Sequence, residues 1–373
     1  MAGGAGGQPG AGAVMLIYAC VSAHGFGHGS RTASVLEALH RLEPGWTLVV
    51  STALPDRFLD GALAGVPHLR RRCRWDVGVI QADALGADAA ATLVALEQLE
   101  RQLPEQLARE SAWLRQQPGP RLVLGDVPPA AADLARSLGA PLLWLASFGW
   151  DAIYGPMGAP FAGAAAQALQ RYRQGDLLLH CPLAMAMPWG LAEVRVGLTA
   201  SSPRLPAHVL RQQLQLPEQR DRCVLISFGG LGLELDPALL ERWPGFTFVG
   251  TDPALARVAN GRLLPDGLRP LDAMPCCGRV ITKPGYSTFS EALSQGVGIH
   301  LVHREGFAEA AVLERALVRH GPHRLLSQAQ LRNGDWQLDQ PLLPATDQPL
   351  PANGAEQAAA ALRHFAASFL PQT

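Results

Sequence analysis

With 373 residues, 48% hydrophobic and 17% charged, the chain exceeds the roughly 250–300 residues at which a single core stops growing, so two globular domains are expected. A formal net charge of −1 offers no general attraction to nucleic acid or to an anionic membrane, and no nucleic-acid partner is expected. Six cysteines, Cys20, Cys73, Cys181, Cys223, Cys276 and Cys277, form no Cys-x-x-Cys pair and sit mostly in apolar runs, which points to reduced, buried thiols with no disulfide framework and no metal site.

Residues 1–13 are rich in Gly and Ala and lack the basic start of a signal peptide, so they read as a disordered tail. The apolar run that follows, Val14 to Val21, is too short to span a bilayer, and a cytoplasmic protein is expected. From there short apolar runs alternate with helical stretches. Val14 to Ser22, Thr47 to Thr52, Arg121 to Leu124 and Pro141 to Ser147 read as buried strands of a parallel sheet covered on both faces. The small-residue and proline stretch Gly197 to Pro206 reads as a linker. A second alternation follows, with strands at Cys223 to Phe228, Phe246 to Val249, Arg279 to Thr282 and Gly298 to Val302, and helices after Ser287 and after Ala308. Leu325 to Ala352 reads as an irregular surface crossing, and Ala355 to Leu370 as a closing helix. The expected fold is α/β, with two doubly wound Rossmann-like domains, 14–200 and 201–352, facing each other across a cleft, and a C-terminal helix in 353–373.

Four segments carry the chemistry. Val21-Ser-Ala-His-Gly-Phe-Gly-His-Gly-Ser-Arg31 follows the first strand and opens a helix, at the strand ends where ligands of open α/β sheets bind. Its glycines, Gly27 among them, allow close approach of a ligand, and His24 and His28 suit general-base work near neutral pH. Asp126 ends another strand; it reads either as the carboxylate that orients one of these imidazoles or as the N-cap of the next helix. Ile226-Ser-Phe-Gly-Gly-Leu-Gly232 repeats the strand-and-glycine arrangement in the second half, with Gly229 and Gly230 able to cradle phosphate.

Thr282-Lys-Pro-Gly-Tyr-Ser-Thr-Phe-Ser-Glu-Ala292 is a strand, a tight turn at Pro284-Gly285, and a helix start. Ser287 or Thr288 is expected to cap that helix and to offer donors to an anion, with Glu291 either closing a capping box or accepting from a ribose diol. Lys283 is the only lysine in the chain; where arginine has replaced lysine elsewhere, the one retained points to a task for a compact ammonium. Arg70 to Arg74 reads as a solvated or edge-strand face, with contact to an anionic acceptor or a peripheral membrane surface as the minority reading.

Together these strings resemble GT-B glycosyltransferases of the family-28 type, most closely the glycosyltransferase-like N-terminal region of arabinokinases. The resemblance rests on His24 to Arg31, Gly125-Asp-Val-Pro-Pro129, Ser147-Phe-Gly-Trp-Asp-Ala-Ile-Tyr154, Ser227 to Gly230, Lys283 to Ala292, and Arg304 to Glu309. It implies an acceptor-side first domain and a donor-binding second domain. It also implies that Glu291 binds the donor ribose, that Ser287, Thr288, Gly229 and Gly230 lie near the diphosphate, and that His28 matches the family's histidine in the first glycine loop. Arg204 would contact the nucleotide, and His303 to Glu309 stands in place of the glutamine-rich donor-sugar segment of many family-28 enzymes, a departure that leaves the transferred sugar open. No sugar-kinase phosphate loop is present in the chain, so arabinokinase activity itself is not implied.

The expected function is inverting transfer of a hexosyl or related group from a nucleotide sugar, a UDP-sugar by preference, to a hydroxyl acceptor. His28 or His24 serves as base and Asp126 as its partner. Lys283, Gly285 and the following helix bind the diphosphate, without a permanently bound cofactor or a required metal. The alternatives are a catalytically silent sugar-nucleotide sensor and a UDP-sugar epimerase-like enzyme.

Overall fold

The computed structural model describes residues 14–80, 88–229, 236–304 and 306–370. The expected N-terminal tail and Gly230 lie outside them. The first half holds strands β1 (Leu16–Val21), β2 (Thr47–Thr52), β3 (Leu69–Arg72), β4 (Arg121–Asp126), β5 (Leu142–Ala146), β6 (Leu177–His180) and β7 (Ala192–Arg195). Between them run helices α1 (Phe26–Leu42), α2 (Asp56–Ala62), α3 (Ala89–Arg115), α4 (Ala131–Leu138), α5 (Trp150–Tyr154) and α6 (Ala162–Tyr172). After α7 (Ala207–Leu214), the second half contains β8 (Cys223–Ile226), β9 (Thr247–Gly250), β10 (Gly261–Leu263), β11 (Arg279–Thr282), β12 (Gly298–Val302) and β13 (His323–Leu326). Its helices are α8 (Ala238–Glu241), α9 (Pro270–Ala273), α10 (Tyr286–Ser294), α11 (Ala308–His320) and α12 (Gln328–Asn333), and α13 (Gly354–Ala367) ends the chain.

All ladders are parallel, in the orders β3-β2-β1-β4-β5-β6-β7 and β10-β9-β8-β11-β12-β13. Parallel strands need crossovers, and helices on both faces make every residue of β1 buried, which is why Leu-Ile-Tyr-Ala-Cys-Val reads as a continuous apolar run. In each sheet the order reverses beside the first strand of its half. The register sets Val21 of β1 opposite Asp126 of β4, bringing the β4 carboxylate next to the loop that leaves β1.

The expected strands at Thr47, Arg279 and Gly298 fall on the observed ones. One expectation needs correcting. Leu325 to Ala352 is not a bare surface crossing, since it contains α12 and the fully buried Trp336. That indole donates to the Leu331 carbonyl at 3.0 Å and packs edge-on against Phe248, and a single anchor of this kind is masked by polar neighbours. The basic cluster falls on the edge strand β3, as expected, where Arg70 pairs with Asp60 at 2.8 Å and Arg71 with Glu110 at 2.8 Å.

Helix α13 leaves the second sheet and packs on α1, where Ala355, Ala358, Ala359, Leu362 and Ala366 complete a core of the first half. The two segments linking the halves touch each other. Leu198 N–H donates to the Pro351 carbonyl at 2.7 Å and Gly354 N–H to the Leu198 carbonyl at 3.0 Å. A Cβ on Gly354 would lie 2.0 Å from the Gly197 oxygen, so glycine is required at this contact.

Candidate active site

A cleft of about 510 Å³ opens between the carboxyl edges of the two sheets, within the size range of ligand pockets and at the location expected for open α/β sheets. From the first half it is lined by His24, Gly27, His28 and Arg31; from the second, by Gly229, Lys283, Gly285, Ser287, Thr288 and Glu309. The structure therefore brings together most of the sequence-selected residues, and Arg304 and Tyr286 join them.

Helix α1 begins at Phe26, with Gly25 as N-cap at φ 85, so His28 lies in its first turn rather than in the preceding loop. His28, Arg31 and Thr32 are spaced i, i+3 and i+4 and share a face of α1. All three converge on the fully buried Asp126. His28 Nδ1 lies 2.9 Å from Asp126 Oδ1, Arg31 Nε donates to Oδ2 at 3.0 Å, and Thr32 Oγ1 donates to the same oxygen at 2.6 Å. Arg31 Nη2 also contacts Oδ1, and Nη1 donates to Ser147 Oγ at 3.0 Å. Burial disfavours the Asp126 charge, but Arg31 and His28 outweigh it and hold the carboxyl at about 2. Asp126 caps no helix: α4 has Ala130 as its N-cap, without a side-chain cap.

The residue after Asp126 is strained. Val127 is fully buried with φ 79, a region that β-branched residues rarely enter. Its carbonyl accepts from Tyr172 Oη at 2.6 Å, and the same hydroxyl accepts from the Trp150 N–H at 3.1 Å.

His24 has a different environment. Its ring meets Trp150 edge-on at 5.3 Å, and Gly78, at φ +72, lies so close that a Cβ there would be 2.3 Å from the imidazole. Burial, together with the positive charge of His28, Arg304 and Lys283, lowers its pKa to about 3. Among the described residues the carboxylate partner goes to His28 and not to His24.

Across the cleft, α10 starts two residues earlier than a Ser287 cap requires and three earlier than a Thr288 cap. Gly285 is the N-cap and has no side chain to accept, so neither hydroxyl caps the helix and its first N–H groups face the cleft. Glu291 consequently lies in the second turn, and the capping-box reading fails. Gly27 is a point of close approach: a Cβ there would be 3.1 Å from Ser287 Oγ of the opposite half. Tyr286 stacks on Phe148 with ring centres 5.4 Å apart, again joining the two halves.

Lys283 is lowered to about 8 by burial and by Arg304, against the pull of Glu309. Glu309, in the first turn of α11, is raised by burial, which Arg304, His28 and Lys283 oppose.

Glu291 and Arg204 are not among the residues lining the cleft. They gather instead around the buried Asp272, which accepts from the Arg204 backbone N–H at 2.9 Å and pairs with Arg269 at 2.8 Å. Glu291 is raised to about 7 by burial and the nearby Asp272 charge, with Arg269 opposing. Sequence reasoning assigned no role to Arg31 or Thr32, although their helical spacing from His28 was a readable signal.

Two facing Rossmann-like sheets with a ligand cleft between their carboxyl edges constitute the GT-B fold. A UDP-glucosyltransferase from Polygonum tinctorium superposes with TM-score 0.59 at 16% identity, covering 98% of this chain and 96% of that one. UGT89C1 of Arabidopsis thaliana, in complex with UDP, superposes with TM-score 0.58 at 13% identity, covering 95% and 94%. In sequence, the chain is similar to L-arabinokinase of Arabidopsis thaliana, 28% identical over 321 residues. That alignment takes in 81% of this chain and 30% of the relative, so the chain spans under a third of the length of the curated protein it matches. No family model matches the chain.

Proposed function

We propose that the protein is an inverting glycosyltransferase that moves a sugar from a nucleotide donor, a UDP-sugar, to a hydroxyl acceptor. The observation that carries this reading is the His28–Asp126 pair at 2.9 Å facing Lys283 and the uncapped start of α10 across one cleft. With Nδ1–H directed to Asp126, His28 Nε2 is left to take the acceptor's proton. The acceptor oxygen attacks the anomeric carbon as the bond from that carbon to the phosphate oxygen breaks. The proton stays on His28, and the nucleoside diphosphate leaves with the electron pair.

Lys283 and the α10 N-terminus stabilise the departing diphosphate, so this reading requires no metal. Ser287 and Glu291 are four apart on α10 and share a face, which carries the donor from the cleft toward Glu291 and Arg204, where ribose and base bind. The UDP held by the Arabidopsis structural neighbour supports the choice of nucleotide. Six free, buried cysteines fit a reducing, cytoplasmic setting. Among the described residues no helix is long and apolar enough to cross a membrane.

Calorimetry with UDP on wild type and Glu291→Ala tests the donor assignment. Weaker binding by the variant is expected, and unchanged affinity sinks the ribose role. His28→Ala should lower transfer by about 10²–10⁴-fold while keeping UDP affinity. A wild type that binds UDP and turns over no donor would favour the silent sensor, and conversion of the donor without any acceptor would favour an epimerase.

A further inference from the structure

Strand β4 ends on Asp126, and the chain leaves it through a residue in an unfavourable conformation. Val127 is fully buried at φ 79, where a β-branched side chain is crowded by its own backbone. Pro128 follows, and the residue before a proline is restricted further toward extended backbone. Such a conformation persists only where its surroundings over-determine it. On one side β1 does so: the Asp126 carbonyl accepts from the Ser22 N–H at 3.3 Å. On the other side Tyr172 does so, its hydroxyl donating to the Val127 carbonyl at 2.6 Å.

Tyr172, the last residue of α6, is itself firmly held. Its ring is fully buried, stacked on Trp189 with centres 4.1 Å apart and met edge-on by Trp144 at 5.0 Å. Gly149 makes room for it, since a Cβ there would lie 2.7 Å from Tyr172 Cε2. Burial pushes the phenol well above its ordinary value, so it stays protonated with one hydrogen to give. That hydrogen goes to Val127, and the oxygen accepts the Trp150 N–H at 3.1 Å at the start of α5. A phenylalanine would fill the aromatic stack equally well; the hydroxyl is the part that packing does not use.

The consequence falls on Asp126. Its carboxylate is where His28, Arg31 and Thr32 converge, but the direction of its Cβ is set by the backbone on either side. Downstream, α4 is packed through Ala131, Ala132, Leu134 and Ala135 and cannot absorb a rotation alone. A Val127 that relaxed to negative φ would therefore strain the Ser22 bond and turn the carboxylate out of line with the imidazole. We infer that Tyr172 is a positioning residue for the base: by locking the Val127 peptide it keeps Asp126 aligned on His28 Nδ1. The inference rests on the glycosyltransferase reading for its kinetic consequence, whereas the alignment is measurable without turnover.

Tyr172→Phe and the double variant Tyr172→Phe/Val127→Gly test it beside the wild type. Two signals are read: the downfield NMR proton of the His28 Nδ1 bond to Asp126, identified by its absence in His28→Ala, and UDP release from UDP-glucose with water as acceptor. Tyr172→Phe should melt cooperatively, bind UDP as the wild type does and leave the KM for UDP-glucose unchanged. It should displace the His28 proton signal and lower kcat by about 10–100-fold, the effect of a misplaced catalytic group. Glycine adopts φ 79 without strain, so the double variant should regain the signal and most of the rate. A wild type without the signal, an unchanged signal in Tyr172→Phe, or a double variant no better than the single overturns the proposal. Should Tyr172→Phe fail to fold, a folded double variant with the wild-type signal upholds the proposal and an unfolded one overturns it. A wild type that releases no UDP, with the proton signal following the expected pattern, instead sinks the transferase reading and leaves the positioning role standing.

Discussion

Asp126 shows how a buried carboxylate can be kept charged beside a base. Three side chains from one helix face supply its partners, and Arg31 contributes the cation. Removing that cation while leaving the carboxylate buried should be severe. Arg31→Met is expected to cost about 3–5 kcal/mol in urea unfolding; a loss below about 1 kcal/mol would mean that the pair is not a structural necessity. Lys283 makes a prediction about pH. Its pKa of about 8 means that the ammonium is present below that value and is lost as pH rises through it, well before an ordinary lysine would discharge. UDP affinity should therefore fall by about 10–100-fold between pH 7 and pH 9.5, the worth of a charge-assisted hydrogen bond, whereas Lys283→Ala should show a flat profile over the same range. At this scale the sequence made His28, Asp126 and Lys283 legible because each sits at a strand end or a helix start. Arg31 was less so, because an arginine inside a helix gives no sign of burial until its carboxylate is located.

Among the elements, the strands that sequence revealed are those buried on both faces, such as Thr47–Thr52 and Gly298–Val302. The short edge strands β3 and β7, Leu-Arg-Arg-Arg and Ala-Glu-Val-Arg, are largely exposed and carry no apolar run for pattern reading to find. The start of α10 was misplaced by two or three residues because Ser and Thr are the favoured caps, and a Gly in extended conformation took the position first. Glycines also govern how the β1 loop is held. Gly78→Ala introduces a Cβ 2.3 Å from the His24 ring and an unfavourable positive φ, which should cost about 1–2 kcal/mol from backbone conformation alone. The variant should also displace His24, visible as a change in Trp150 fluorescence; a variant with wild-type stability and spectrum would show that the ring moves aside freely.

At the level of the whole molecule, two sheets and one cleft were legible from alternation and from a glycine turn in each half. The closing helix was also visible as a helix, but which half it joins was not, because an Ala, Leu and Phe stripe fits any apolar face. Its place on α1 predicts that Leu362→Ala, a fully buried change in the last helix, destabilises the protein by about 2–5 kcal/mol in urea unfolding. Expression of 14–200 alone would leave the apolar face of α1 uncovered and should yield an aggregating fragment. The return of α13 also means that the polypeptide passes between the halves twice, at Leu198 and at Pro351, with the two passes hydrogen-bonded side by side. A single tether would by itself do little to fix how one half sits on the other. Two bonded tethers act as the spine of a book, which restricts sliding and twisting of one half over the other.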